Sequence, residues 1–131
     1  MIEITESVLV SDAEIVVPLL SELRSRGVRV AVDDFGTGYS SLSYLRRLPI
    51  DVLKIDKAFV SGVTEAVEDV VVAEAVVKLA DALGFATVAE GIETHEQARE
   101  LQALGSTYGQ GFLYSPPLAS ADVRDVLERK R

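Results

Sequence analysis

Cysteine is absent from this 131-residue chain. Disulfides and thiolate metal sites are therefore excluded, and a reducing, cytoplasmic setting fits best. Histidine occurs once, so a cluster of imidazole ligands is excluded as well. Long apolar runs are also missing. Charge interrupts each of them well short of the roughly 20 residues that a membrane-spanning helix needs. The opening "MIEITESV" carries acids and no basic cluster, so it does not read as a signal peptide. Basic charge is scarce: 13 Lys and Arg face 21 Asp and Glu, for a net charge of −8. A binder of DNA or RNA would show a basic face, so general nucleic-acid binding is not expected. An anionic ligand fits this balance only where a bound cation reverses the local field.

Apolar residues make up 48% of the chain, enough for one domain with a real core and too many for disorder. Short apolar runs alternate with longer amphipathic ones. The strand candidates are Ile2–Thr5, Val28–Val32, Val52–Ile55, Ala86–Ala89 and Tyr108–Leu113. Several are almost continuously apolar, as strands buried on both faces are. Ser11 to Glu14, "SDAE", reads as a capping box opening a helix that Gly27 closes. Thr94 to Gln97, "THEQ", repeats the device, with Gly105 as the stop. Pro18 either kinks the first helix or marks its start. The helix around Glu65 to Leu83 has a narrow polar stripe of Glu74, Lys78 and Asp81. Its wide apolar surface predicts burial on more than one side, with an oligomer contact as the second reading. The alternation βαβαβαβαβα predicts an α/β fold with a parallel sheet and no internal linker.

Right-handed crossovers bring the C-terminal ends of parallel strands to one rim. That rim receives Glu3 and Glu6, Asp33 and Asp34, Lys54 and Asp56, Glu90 and Glu93, and Gln110. One carboxylate at a strand end usually caps the next turn. Several converging carboxylates repel one another and raise each other's pKa, so something must neutralise them. Hard oxygen donors point to Mg²⁺, Mn²⁺ or Ca²⁺. Adjacent Asp33 and Asp34 at a strand-to-loop turn could serve two neighbouring ions, a recurrent arrangement for phosphoester hydrolysis. Lys54 among acids fits a plain salt bridge, or a group that orients a water or steadies a phosphate. His95 reads as a solvent-facing first-turn residue, Tyr39, Tyr44 and Tyr108 as packing residues, and Ser115–Pro117 as a rigid exit from the last strand.

The segments "IEITES", "VAVDDFGTGYSSLSYLRRLPIDVLKIDKAFV", "VAEGIET" and "YGQGFLYSPPL" resemble the EAL domain family of cyclic di-GMP phosphodiesterases. The resemblance spans the whole chain. It implies a TIM-like (β/α) barrel and two-metal hydrolysis of cyclic di-GMP to linear pGpG with Mg²⁺ or Mn²⁺. Carried over residue by residue, it makes Glu3 and Asp33 metal ligands and Asp34 the ligand associated with the second ion. Lys54 then lies near the attacking water, Glu90 is a ligand or base at the metals, and Gln110 contacts the site. Glu6 and Glu93 support the "DDFGTGYSS" loop, in which Gly36, Thr37 and Gly38 lie. In the family that loop couples metal binding to dimerisation.

The departures carry their own expectations. A complete TIM barrel has eight βα units in about 250 residues. Five strands are legible here, so residues 1–131 are expected to form the C-terminal portion of an EAL domain, a partial barrel. The Glu-Ala-Leu signature, an asparagine ligand and a basic residue for the ligand phosphate are not found in the sequence. The 131 residues alone are accordingly expected to bind metal weakly and to turn over little or not at all. The alternative is a non-catalytic module acting in self-association or partner binding, since open barrel edges favour a homo-oligomer.

Overall fold

The computed structural model describes residues 1–35 and 42–129. Five strands form one parallel sheet in the order β1-β2-β3-β4-β5: Ile2–Thr5, Val30–Phe35, Val52–Ile55, Ala86–Ala89 and Tyr108–Gly109. The connections carry α1 (Glu6–Ser11), α2 (Ala13–Ser25), α3 (Leu42–Leu45), α4 (Lys57–Gly62), α5 (Val67–Leu83) and α6 (His95–Leu104), and α7 (Ser120–Arg129) follows β5. The α/β class and the parallel sheet agree with the sequence pattern.

Period-2 alternation divides the sheet into two faces. Val30, Val32, Leu53, Ile55 and Ala89 belong to the large core that the helices cover, together with Leu9, Leu20, Val76, Ala80 and Leu101. Ala31, Val52 and Val88 form a smaller apolar cluster of their own. Register aligns these three with Glu3, Lys54 and Tyr108 on the other face. This is the division a (β/α) barrel requires: one face of the sheet packs under the helices and the other faces the barrel interior.

The N-terminal end of the sheet is held by Asp51. Its carboxylate accepts from the Val30 amide at 2.8 Å and from Arg24 at 2.8 and 3.2 Å. Its backbone bonds Val30 and Ala86. Burial would raise the Asp51 pKa, but the Val30 amide and Arg24 hold the carboxyl below its ordinary value. One residue thus ties α2 to three strands at the end away from the polar rim.

Several local expectations are corrected. The "SDAE" capping box does not form. Ser11 ends α1 and donates its hydroxyl to Asp12 at 2.8 Å, and the N-cap of α2 makes no side-chain cap bond. Pro18 does not mark the start of α2, which begins at Ala13. Strand β2 starts two residues later than read and runs through both aspartates to Phe35, while β5 stops at Gly109. Helix α5 buries Ala73, Val76, Val77 and Ala80 but exposes Val67 and Val71, so it is not covered on a second side. Its Glu74–Lys78 pair does form, at 2.6 Å. Gly27 and Gly105 terminate their helices with positive φ, and the Thr94–Gln97 box is present. Tyr44 packs and donates to the Leu9 carbonyl, whereas Tyr108 is exposed at the sheet edge.

Candidate functional site

Lys54, Asp33, Glu90 and Gln110 of the inner face lie towards the C-terminal ends of the strands, and Glu3 reaches them from its place in register with Ala31. Lys54 is their hub. It follows Val52 on the same face of β3 and is only 2% exposed. Its ammonium lies 2.7 Å from Glu3 Oε2, 2.5 Å from Glu90 Oε1 and 3.7 Å from Asp33 Oδ2. Three strands thus deliver three acids to one cation. Burial works against the charged amine, but the hydrogen bonds to Glu3 and Glu90 outweigh it and hold the Lys54 pKa above its ordinary value.

Glu90 behaves in the opposite sense. Burial pushes its carboxyl above the usual range, Lys54 pulls it back, and the adjacent Asp33 pushes it up again by hydrogen bond and charge. Two carboxyls facing each other beside one ammonium leave the site short of positive charge. Gln110, at the end of the fifth strand, donates its amide to Glu90 Oε1 at 2.9 Å and extends the cluster.

The paired aspartates owe their placement to a β-bulge. Val32 pairs with Leu53 and Phe35 with Ile55, so β2 holds one residue more than β3 across that interval. Asp34 absorbs the excess with φ +55°, a left-handed conformation that Asp tolerates better than most residues. The bulge brings both side chains to the rim. Asp33 faces Lys54, while Asp34 hydrogen-bonds with Asp56, an interaction that, with the charge of Asp33, raises the Asp34 pKa. Asp56 also caps α4, accepting from the Ala58 amide at 2.7 Å.

Among the described residues, no group of three or more acids stands close enough to enclose one metal ion. The Lys54 ammonium occupies the space between Glu3, Asp33 and Glu90. The donor set still suits a hard divalent cation, because it is all oxygen and carries more negative charge than one lysine neutralises. Glu6, the first residue of α1, is buried. Glu93 stands apart from the lysine hub and pairs with Lys57 at 2.6 Å. Gly36, Thr37 and Gly38, together with Tyr39, lie outside the described residues. His95 is exposed at the start of α6. Sequence reading passed over Lys57, and its only signal there is its position beside Asp56 at the first turn of α4. No helix among the described residues is long and apolar enough to cross a membrane.

Known proteins resemble this chain in sequence and in fold. The cyclic di-GMP phosphodiesterase NbdA of Pseudomonas aeruginosa is 42% identical over 130 residues, which is 99% of this chain and 17% of NbdA. The crystal structure of the EAL domain of Mycobacterium smegmatis DcpA superposes with a TM-score of 0.88 at 46% identity, covering 98% of this chain and 58% of that one. A manganese and cyclic di-GMP complex of Klebsiella pneumoniae BlrP1 superposes with a TM-score of 0.79 at 37% identity, over 88% of this chain and 29% of that one. The chain therefore spans about a sixth of the curated relative and somewhat over half of the solved DcpA domain. A model of the EAL domain matches residues 1–117, and with these similarities across its length the chain belongs to the EAL domain family.

Proposed function

We propose that this chain carries the metal and water-activating side of an EAL-type cyclic di-GMP phosphodiesterase site, one that hydrolyses cyclic di-GMP to linear pGpG with two Mg²⁺ or Mn²⁺ ions. The observation that carries this reading is the convergence of Glu3, Asp33 and Glu90 on buried Lys54, with Asp34 beside them. Glu3, Asp33, Asp34 and Glu90 would hold the ions, which supply electrophilic stabilisation of charge developing on the phosphoryl oxygens. Lys54 orients the attacking water and its carboxylate neighbours. Glu90, whose carboxyl is already pushed up, is placed to take a proton from that water, and Gln110 holds Glu90 in position. Glu6, Glu93 and the segment with Gly36, Thr37 and Gly38 support the rim. A cytoplasmic setting suits both the absence of cysteine and the nucleotide substrate.

The Glu-Ala-Leu signature does not occur within these 131 residues, so the polypeptide assayed by itself holds an incomplete ligand set. The expected result with cyclic di-GMP and Mn²⁺ is weak ion binding, further reduced in Asp33→Asn, and no pGpG above background. Clear turnover that Asp33→Asn abolishes would overturn the inactivity of the isolated polypeptide. Mn²⁺ binding indifferent to Asp33→Asn would overturn the site itself.

A second reading, self-association without catalysis, rests on β1 and β5, each of which has a strand neighbour on one side only among the described residues. Unpaired strand edges template further pairing. Light scattering on the isolated polypeptide is expected to give a dimer or larger species, and a compact monomer would remove this reading.

A further inference from the structure

The acids and the lysine of the rim stand on neighbouring strands, so their mutual placement depends on how β2 is staggered against β3. Hydrophobic alternation does not set that stagger. Val30, Ala31 and Val32 of β2 and Val52, Leu53 and Ile55 of β3 are all 0% exposed, so both faces of these strands are covered. A slip of one residue moves every side chain to the opposite face. In a strand with one polar face that is prohibitive. In the first half of β2 it exchanges valine for alanine, a change of volume and not of polarity.

The bulge makes this freedom matter. Val32 pairs with Leu53 but Phe35 pairs with Ile55, so β2 holds two registers at once, one on each side of the aspartates. A slip of the first half by one residue would bring it into the register that Phe35 and Ile55 already hold, and the bulge would disappear. Asp34 would then stand level with Lys54, and Asp33 with Leu53. The acid facing the ammonium would be exchanged. Some group must hold the first half of β2 where it is.

Asp51 has the contacts to do so. Both backbone groups of Val30 end on it. The Val30 N–H donates to Asp51 Oδ2 and the Val30 carbonyl accepts from the Asp51 N–H, each at 2.8 Å. The other carboxylate oxygen accepts from Arg24 at 2.8 and 3.2 Å, which fixes the orientation of the group. The Asp51 carbonyl accepts from the Ala86 N–H at 3.0 Å and extends the alignment to β4. Lys54 lies further along β3, roughly 10 Å away at the usual rise of a strand, so the influence of Asp51 on the rim passes through the strands. We propose that Asp51 is a positioning residue: its two-point grip on Val30 fixes the register of β2 against β3, confines the bulge to the aspartates, and so decides that Asp33 and not Asp34 faces Lys54. The consequence for metal binding rests on the reading of these acids as ligands, whereas the register does not.

The test compares Asp51→Ala, Asp51→Asn and Arg24→Met in the 131-residue chain. Asparagine keeps an oxygen for the Val30 N–H, and Arg24→Met leaves that bond in place while removing the guanidinium. Register is read by NMR, from the backbone contact between Val32 and Leu53 and from the side-chain ammonium signal of Lys54. Titration with Mn²⁺ reads the site. Asp51→Ala is expected to lose the Val32–Leu53 contact, shift the Lys54 signal and weaken Mn²⁺ binding about tenfold, the lower end of what misaligned ligands cost. Asp51→Asn and Arg24→Met should keep the parent register and bind Mn²⁺ within about threefold of the parent. If Asp51→Ala does not fold, Asp51→Ser, whose oxygen sits one bond nearer the backbone, takes its place with the same readings. A folded variant with a lower melting temperature but the parent's register and Lys54 signal would overturn the proposal and leave Asp51 a stabilising clasp. So would Asp51→Asn displaced as far as Asp51→Ala, because Arg24 and not Val30 would then be the partner that counts. A displaced register with unchanged Mn²⁺ affinity would support the role of Asp51 and overturn the assignment of Asp33 as a ligand.

Discussion

Replacing Lys54 with methionine is expected to lower stability by about 2–3 kcal/mol at pH 7 in the presence of a chelator, a drop in Tm of roughly 10 °C. Methionine fills a similar volume, so the effect isolates the charge. Removing one partner of a buried ion pair costs about 3–5 kcal/mol because the other charge is left uncompensated. The smaller figure applies here because Glu3 keeps 43% of its side-chain surface in solvent and can relax outward, whereas Glu90 keeps 16% and cannot. The pH dependence distinguishes this cause from a packing defect. Glu90 titrates above its ordinary value even with Lys54 present, and without Lys54 it rises further. A carboxyl whose folded pKa exceeds its unfolded value favours folding below the unfolded pKa, and that advantage is lost as pH rises through the folded pKa. The deficit of the variant relative to the parent should therefore shrink as pH falls towards the ordinary glutamate range near 4.3, and Mn²⁺ should reduce it at pH 7. Thermal melts across pH, with and without Mn²⁺, make the measurement. A deficit equal at every pH would show that packing, not charge, is what Lys54 supplies.

Gly111→Ala is expected to cost about 3 kcal/mol or more, because the added methyl has nowhere to go. A Cβ at Gly111 would lie 2.1 Å from the Ile92 carbonyl oxygen and 2.2 Å from its nitrogen, both fixed backbone atoms. The two segments are also bonded there: Ile92 N–H donates to Gln110 and Leu113 N–H to Ile92, each at 3.0 Å. Its φ of +157° adds a conformational penalty for any L side chain. Gly27 provides the comparison. It has φ +83° and open space around its Cβ position, so Gly27→Ala should cost only about 1 kcal/mol. Urea denaturation of both variants measures the difference. Equal losses would mean that the contact with Ile92 gives way and only backbone preference matters. Because Gln110 precedes Gly111, the displaced turn should also weaken the contact to Glu90.

That turn illustrates where sequence reading succeeds and where it stops. Strands β1, β3 and β4 are legible to the residue, β1 from its alternation of apolar and polar residues and β3 and β4 from mainly apolar runs that end at Asp56 and Glu90. Strand β5 was overread. "YGQGFL" has strand-like composition, but the approach of Gly111 to Ile92 is a long-range contact that turns the chain away after Gly109. Strand β2 was cut short for the complementary reason, since two aspartates look like an exit and only the bulge with Asp34 at positive φ lets the strand continue. The "SDAE" box failed because β1 leads directly into α1, which uses Ser11 for its own end. Convergence of the rim acids followed from parallel topology alone. The centring of three of them on Lys54, and the separate partnership of Glu93 with Lys57, depend on side-chain reach, which strand order does not fix.

Strand order in this sheet repeats chain order without a skipped position. Each pairing within it therefore joins strands of consecutive βα units. On the ribosome, β2 can zip onto β1 once β2 itself has cleared the exit, and each later strand finds its neighbour already in place. The Lys54 hub is the exception, since Glu3 is made first and Glu90 much later. The acids must therefore wait, solvated, until β4 arrives, which makes assembly of the charged centre a late event after the apolar frame has formed.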